Sequence, residues 1–536
     1  MTAVAARAAA GRRRGSILLT APALLTAGAV MLPLAYLAVR SVTASRSAWS
    51  ILDAETGRLV LDTLLLVGIV VAVAVAVGVP LAWLVVRTDL PARGVWAVAL
   101  ALPLVIPSYV AALALLGALG PRGFLQEILG WAFGVERLPE IYGLPGSVLA
   151  LTLSTYPYVY LLAAAALRDL DPALEEAARG LGRSGWQVFR SVTLPALRPS
   201  IAAGGLLVGL YVLSDFGVVS LMQYPALTRA IYLSYNALFD RDPAVVLGLV
   251  LVALTALVLL AEGRFRRSAR YHRSTATAAR RAKPVALGRW RWPAAIVCGA
   301  AVSVFLVLPV AVLAYWTWQA VPLGRPIDVA WHAAVNSALA SGAAAVVAVA
   351  AALPVVYLAH RRPAWWTRLL ERACFTANAL PGIVIALSLV FFGARYGGVV
   401  YQTLALLVFA YVVRFLPQAL AASGAALQTV NPRYEEAARG LGRGPVATTA
   451  TITAPLMRSG LFAGAALVFL SSLKELPATL LLRPIGFETL ATEIWQATAF
   501  ADFAAAAPSA LLLIAISAPY VWLLVGRAGS TPASPG

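Results

Sequence analysis

The chain is 536 residues long, 61% hydrophobic and 12% charged, with a mean hydropathy of +0.83 and a formal net charge of +19. An ordinary soluble domain carries about a quarter of its residues as charges, so this composition excludes one. The basic excess is spread over many short loops, which excludes a nucleic-acid-binding domain as its explanation.

Runs of about 20 apolar residues suffice to cross a bilayer as helices. Twelve are predicted, at 17–39, 60–86, 95–118, 147–167, 200–222, 245–262, 293–316, 335–359, 370–392, 399–426, 459–482 and 504–526, which makes the fold class an all-α membrane protein. The first run follows Arg12, Arg13 and Arg14, which hold the N-terminus in the cytoplasm, and its length suits a retained span better than a cleaved signal sequence. Counting alternately from there, Arg87, Arg93, Arg361, Arg362 and a basic stretch from Arg264 to Arg291 also fall inside. The loops 118–146 and 223–244, with Glu127, Glu136, Glu140, Asp240 and Asp242, fall outside. Trp290, Trp292, Trp316, Trp365, Trp366 and Trp522 lie near span ends, where amphipathic rings anchor a helix at headgroup depth. Cys298 and Cys374 lie in spans and argue against a disulfide framework. His272, His332 and His360 have no metal-ligand spacing, so no metal site, cofactor or catalytic group is expected.

After the fourth run, Asp171 can cap a short helix whose first position suits Pro172 and which runs to about Leu181. Glu175 and Arg179 can pair four residues apart, Ala177 and Ala178 leave a low surface beside Glu176, and Gly182 can take the positive φ that ends a helix. In the fifth run stands Asp215, an ionizable group that is expensive at such depth and belongs on a bundle interior or a water path.

The second half repeats these features. Glu175 to Arg183 recurs letter for letter as Glu435 to Arg443, 260 positions on, with Glu436, Ala437, Ala438 and Gly442 in the corresponding places. Asn431-Pro432 stands for Asp171-Pro172, and Ile452-Thr453-Ala454-Pro455 for Val192-Thr193-Leu194-Pro195. Lys474 and Glu475 fall where Ser214 and Asp215 fall in the first half. Pro80 and Pro354, and Ile106-Pro107-Ser108 and Leu380-Pro381-Gly382, match at an offset of 274, so about fourteen extra residues enter the first half between Gly120 and Gly146. The expected organisation is a tail 1–16, a first repeat 17–262, a cytoplasmic linker 263–292, a second repeat 293–526 and a tail 527–536. Six spans per half make the repeat parallel, with both termini and both repeated helices in the cytoplasm. Asp215, Lys474, Glu475 and Arg414, for which Ser154 stands in the first half, are expected to form an outward-opening translocation site or gate, and Lys474 or Arg414 can at the same time neutralise Glu475 in a structural ion pair.

Twice over, the segment reads Glu-Ala-Ala, three residues, Gly, nine residues, an aliphatic residue, one residue, then Leu-Pro or Ala-Pro. It resembles the EAA loop of ABC-importer permeases, and Ala454 departs from the Leu usual there. Over nearly its whole length, through phrases such as Leu213-Ser214-Asp215-Phe216-Gly217 and Lys474-Glu475-Leu476-Pro477, the chain resembles the fused permease family of ferric iron importers. That resemblance implies ATPase coupling through Glu175, Glu176, Ala177, Ala178 and Gly182 and through Glu435, Glu436, Ala437, Ala438 and Gly442. It implies as partners a homodimeric ATP-binding subunit, an extracytoplasmic substrate-binding protein and the lipid of a bacterial inner membrane. The chain itself is expected not to be an enzyme, since Lys283 and Lys474, its two lysines, follow Ala282 and Leu473 and not the glycine of a phosphate loop. Thiamine, a phosphonate or another small solute is the alternative cargo, and an ion-coupled secondary carrier the alternative class.

Overall fold

The computed structural model describes residues 2–44, 46–120, 123–126, 134, 139–237, 241–268, 284–321, 330–376 and 380–529. Glu127, Glu136, Asp240, His272, Lys283, linker residues 269–283 and tail residues 530–536 lie outside them, as do the side chains of Arg12, Arg13, Arg14 and Trp522.

The described chain is helical. Its main helices are α1 (Thr2–Val42), α2 (Ala54–Arg87), α3 (Ser108–Leu119), α4 (Leu144–Asp169), α5 (Pro172–Gly180), α6 (Leu194–Ser214), α7 (Gly217–Leu221) and α8 (Asp242–Ser268) in the first half. The second half continues with α9 (Leu308–Ala320), α10 (Trp331–Arg361), α11 (Gly382–Tyr396), α12 (Leu404–Thr429), α13 (Pro432–Gly440), α14 (Arg458–Leu473) and α15 (Phe503–Gly529).

Among the described residues, 10 helices are long and apolar enough to cross a membrane, and Val446–Leu456 with Arg458–Leu473, bent by 80°, gives an eleventh if taken as one span. The runs 95–118 and 370–392 are not continuous helices. Pro103 and Pro107 split the first into Arg93–Ala99, a 3-10 turn Leu102–Val105 and α3, and Pro381 precedes α11 in the second. Proline lacks the N–H that a helix interior needs, so each run breaks where one stands. Both α3 and α11 are apolar on every side and buried over most of their length, as interior helices are.

Two compact units form, and they cross the repeat boundary. One holds Met1–Arg46 and Ala330–Glu493, the other Ser47–Val329 and Ile494–Gly536. In the first, α10, α12 and α14 pack together, and α1 of the first repeat lies against α10 and α11. The Tyr36 ring meets Phe392 edge-on at 5.4 Å there. In the second, α2, α4 and α6 pack together, and α9, in the opening span of the second repeat, lies against α3 and α15. Phe305 tilts against Tyr156 at 4.8 Å, and the Trp316 indole N–H donates to the Gly117 carbonyl at 3.0 Å. Trp316 is therefore a packing residue, whereas Trp290, Trp292 and Trp365 are exposed as anchors would be.

Helix crossings use matching small residues. A Cβ on Gly204 of α6 would stand 3.0 Å from Val159 Cα of α4, and one on Gly464 of α14 would stand 3.4 Å from Ala419 Cα of α12. Close backbone approach is the usual source of helix association in lipid.

Because each unit draws helices from both halves, severing the chain between Ser268 and Pro284 should not part it. Co-expressed fragments 1–268 and 284–536 are expected to co-purify in detergent through a tag on either one; recovery of only the tagged fragment would contradict the exchange of opening spans.

Candidate functional site

The two repeated helices form as their ends dictate. The Asp171 side chain accepts from Ala173 N–H at 2.9 Å and Asn431 from Arg433 N–H at 3.0 Å, with Pro172 and Pro432 at the first helical position. Gly182 and Gly442 close them at φ +79° and +81°, a region that disfavours any side chain. Beyond each, Arg183 donates to Ser191 and Arg443 to Thr451, both at 2.7 Å. A π turn follows in both copies, Phe189–Thr193 and Thr449–Thr453, just before Pro195 and Pro455, whose rings leave no N–H for a normal turn.

The paired glutamates part company. Glu175 and Glu435 are turned inward, Glu435 fully so at 0% exposure, while Glu176 and Glu436 are exposed. In the Ser47–Val329 unit, Arg87 at the end of α2 approaches Glu175 Oε1 at 3.4 Å, and the Thr193 hydroxyl donates to the same oxygen at 2.7 Å. In the other, Arg361 at the end of α10 holds Glu435 Oε1 at 3.0 Å, with the Thr453 and Tyr357 hydroxyls donating at 3.2 and 3.4 Å. Arg361 also donates to the Val430 carbonyl at 2.8 Å, and Arg87 to that of Leu170 at 3.5 Å. Those carbonyls end α12 and α4, where helix termini leave acceptors unsatisfied and favour a cation. One arginine thus ties three elements together in each repeat: its own span, the end of a second and the short helix.

Ala178 and Ala438 are buried with the inner glutamates. The inner four, Glu175, Ala178, Glu435 and Ala438, therefore depart from the expectation that the whole motif meets a partner. The outward face carries Glu176, Ala177 and Gly182, and Glu436, Ala437 and Gly442. It also carries Leu181 and Leu441, exposed at 82% and 84%, which the sequence reading passed over although both stand inside the repeated segment. Arg87 and Arg361 stand in the sequence as inside-facing charges, and their spacing of 274, the offset that aligns Pro80 with Pro354, is the signal that pairs them.

The span acids stand at helix breaks. Asp215 follows α6 and takes the Ser108 hydroxyl at 2.5 Å and the Val218 N–H at 2.9 Å, while its carbonyl accepts from Thr228 at 2.6 Å. Glu475, after α14, accepts from Ala478 N–H at 3.3 Å and pairs with Arg414 at 3.0 Å. Both carboxylates are buried, so each is held by polar partners at the point where its helix stops. Arg414 and Glu475 form the structural ion pair that was one of the two expectations. Lys474 is half-buried beside Glu475. Cys298 and Cys374 are buried and free, and no cluster of His, Cys, Asp and Glu able to hold a metal occurs among the described residues.

Residues 68–271 and 352–525 match the family model described as the binding-protein-dependent transport system inner membrane component. Similar proteins include the Fe(3+)-transport system permease protein FbpB 2 of Haemophilus influenzae, 32% identical over 521 residues, covering 96% of this chain and 98% of that one. The ferric transport system permease protein FbpB of Actinobacillus pleuropneumoniae is 23% identical, covering 71% of this chain and 58% of the relative. The molybdenum transport system permease protein ModB of Escherichia coli is 37% identical over 134 residues, covering 25% of this chain and 57% of its own. The duplicated match and the near full-length likeness lead to one conclusion: the chain belongs to the family of inner-membrane permease components of binding-protein-dependent ABC importers, as a fused subunit of two repeats that is not itself an enzyme.

Proposed function

We propose that this permease imports ferric iron and that α5 and α13 are the two points at which a separate ATPase drives it. What carries the reading is the duplicated anchor, in which a buried glutamate fastens each short helix to an arginine at the end of α2 or α10. A helix tied to two span ends passes a push to the spans, whereas one tethered by a flexible loop would absorb it. The exposed Glu176, Ala177, Leu181 and Gly182, with Glu436, Ala437, Leu441 and Gly442, offer a low face with one acid and one leucine per copy. Two equivalent faces suit a two-fold symmetric partner, hence an ATPase homodimer, and the basic loops beside them favour both helices and both termini in the cytoplasm. Energy comes from that partner, since neither Lys283 nor Lys474 stands in a phosphate-binding loop. Ferric iron is the cargo favoured by the likeness to the Fe(3+)-transport permease over nearly the full length of both chains. An extracytoplasmic binding protein would deliver it, and Asp215, Glu475, Lys474 and Arg414 would border its path.

The test is the double variant Glu176→Lys/Glu436→Lys, which reverses the exposed charge and leaves the inner anchors alone. Iron uptake should fall to background and the ATPase should no longer co-purify, with the permease still recovered in full from membranes. Unchanged uptake and co-purification would refute the coupling assignment; full coupling with uptake of another solute would refute the cargo alone.

A further inference from the structure

The cargo path can be read further from a pair of positions that both repeats keep in contact but fill differently. Tyr158 of α4 and Tyr211 of α6 have ring centroids 6.2 Å apart. At the offset of 260, Gln418 of α12 and Ser471 of α14 take their places, with the Ser471 hydroxyl donating to the Gln418 side-chain oxygen at 2.9 Å. All four are half-buried in helices of spanning length or their counterparts. A polar side chain left partly open inside a span belongs on a water-lined path and not against lipid.

In the first repeat the polar row continues. The Tyr211 hydroxyl is within hydrogen-bonding reach of Ser108, whose own hydroxyl meets the Asp215 carboxylate. Two phenols, a hydroxyl and a carboxylate thus lie side by side, all hard oxygen donors, and three of them anionic once the phenols lose their protons. In the second repeat the same row reads Gln418, Ser471, Gly382 and Glu475, and the carboxylate there is matched by the Arg414 guanidinium. The halves therefore differ in chemistry where they agree in geometry.

We infer that Tyr158, Tyr211, Ser108 and Asp215 form the station at which the path ligates ferric iron. The inference rests on the ferric reading of the cargo. A trivalent hard cation takes carboxylate and phenolate oxygen in preference to amide or thioether. Few anionic donors make a site that fills and empties readily, as a conducting path requires.

Ferric phenolates absorb visible light by charge transfer, which gives a readout independent of transport. The purified full-length permease titrated with ferric nitrilotriacetate should develop that band. The double variant Tyr158→Phe/Tyr211→Phe should abolish it, and Tyr36→Phe, which alters a tyrosine packed against Phe392, should keep it. In cells carrying the complete transport system, the double variant should slow iron uptake by about tenfold or more. A wild-type protein without the band, or a band that survives in the double variant, overturns the station. Wild-type uptake then separates the two claims: iron uptake without the band removes the station and leaves the cargo, whereas absence of iron uptake removes the cargo and the station with it.

Discussion

Glu435→Ala is expected to destabilise the permease more than any other single change at the repeated helices. Glu435 is at 0% exposure and accepts from Arg361, Thr453 and Tyr357. Removing one partner of a buried ion pair leaves the other charge without compensation, at a cost of about 3–5 kcal/mol. Arg361 would keep its bonds to the Val430 and Leu427 carbonyls, which places the loss toward the lower end of that range. The purified variant should show a clearly lower thermal midpoint in detergent, and surviving protein should hydrolyse ATP with its partner without matching uptake, because α13 is no longer fixed to α10. Glu175→Ala should do the same more mildly. Its arginine stands at 3.4 Å instead of 3.0 Å, and Trp83 occupies the place of Tyr357, so one donor fewer is stranded. Equal midpoints for Glu435→Ala and wild type would refute the anchor.

The difference between Glu175 and Glu176 marks the limit of what sequence alone conveys at this site. Capping by Asp171 and Asn431, the prolines that follow, and the positive φ of Gly182 and Gly442 depend on neighbours within a few residues, and all were readable. Which glutamate turns inward depends on Arg87 and Arg361, more than 70 positions away, so the local pattern could not decide it. Hydropathy failed for a different reason at 95–118 and 370–392. Averaging over a window registers apolar content, and Pro103, Pro107 and Pro381 break a helix without lowering that content. The exchange of opening spans left no trace either: between Arg14 and Arg40 α1 carries no charge, and nothing in its sequence names the helices that cover it. The span acids were found because charge is rare there, yet the side chains that hold them, Ser108 and Arg414, stand on other helices.

The second repeat has solved its buried acid with a cation, and the room for that cation comes from a missing side chain. A Cβ on Gly382 would stand 2.3 Å from Arg414 Nη1 and 2.5 Å from Glu475 Oε1, so the ends of both paired side chains must shift to admit it. In the first repeat Ser108 occupies the position of Gly382, and Ser154 that of Arg414, so a short hydroxyl does for Asp215 what the guanidinium does for Glu475. Gly382→Ala should therefore expel Arg414 from Glu475 and cost about 3 kcal/mol or more, the loss expected when a buried pair is broken. Recovery of folded permease from membranes should drop sharply, and the thermal midpoint of what remains should fall. Gly382→Ser/Arg414→Ser, which copies the residues of the first repeat into the second, should recover much of that loss, because the new hydroxyl can donate to Glu475 in the space the guanidinium leaves. If Gly382→Ala folds as well as wild type, the guanidinium is not confined as described; if the double variant is no better than Gly382→Ala, the two repeats do not exchange a serine for a salt bridge at this point.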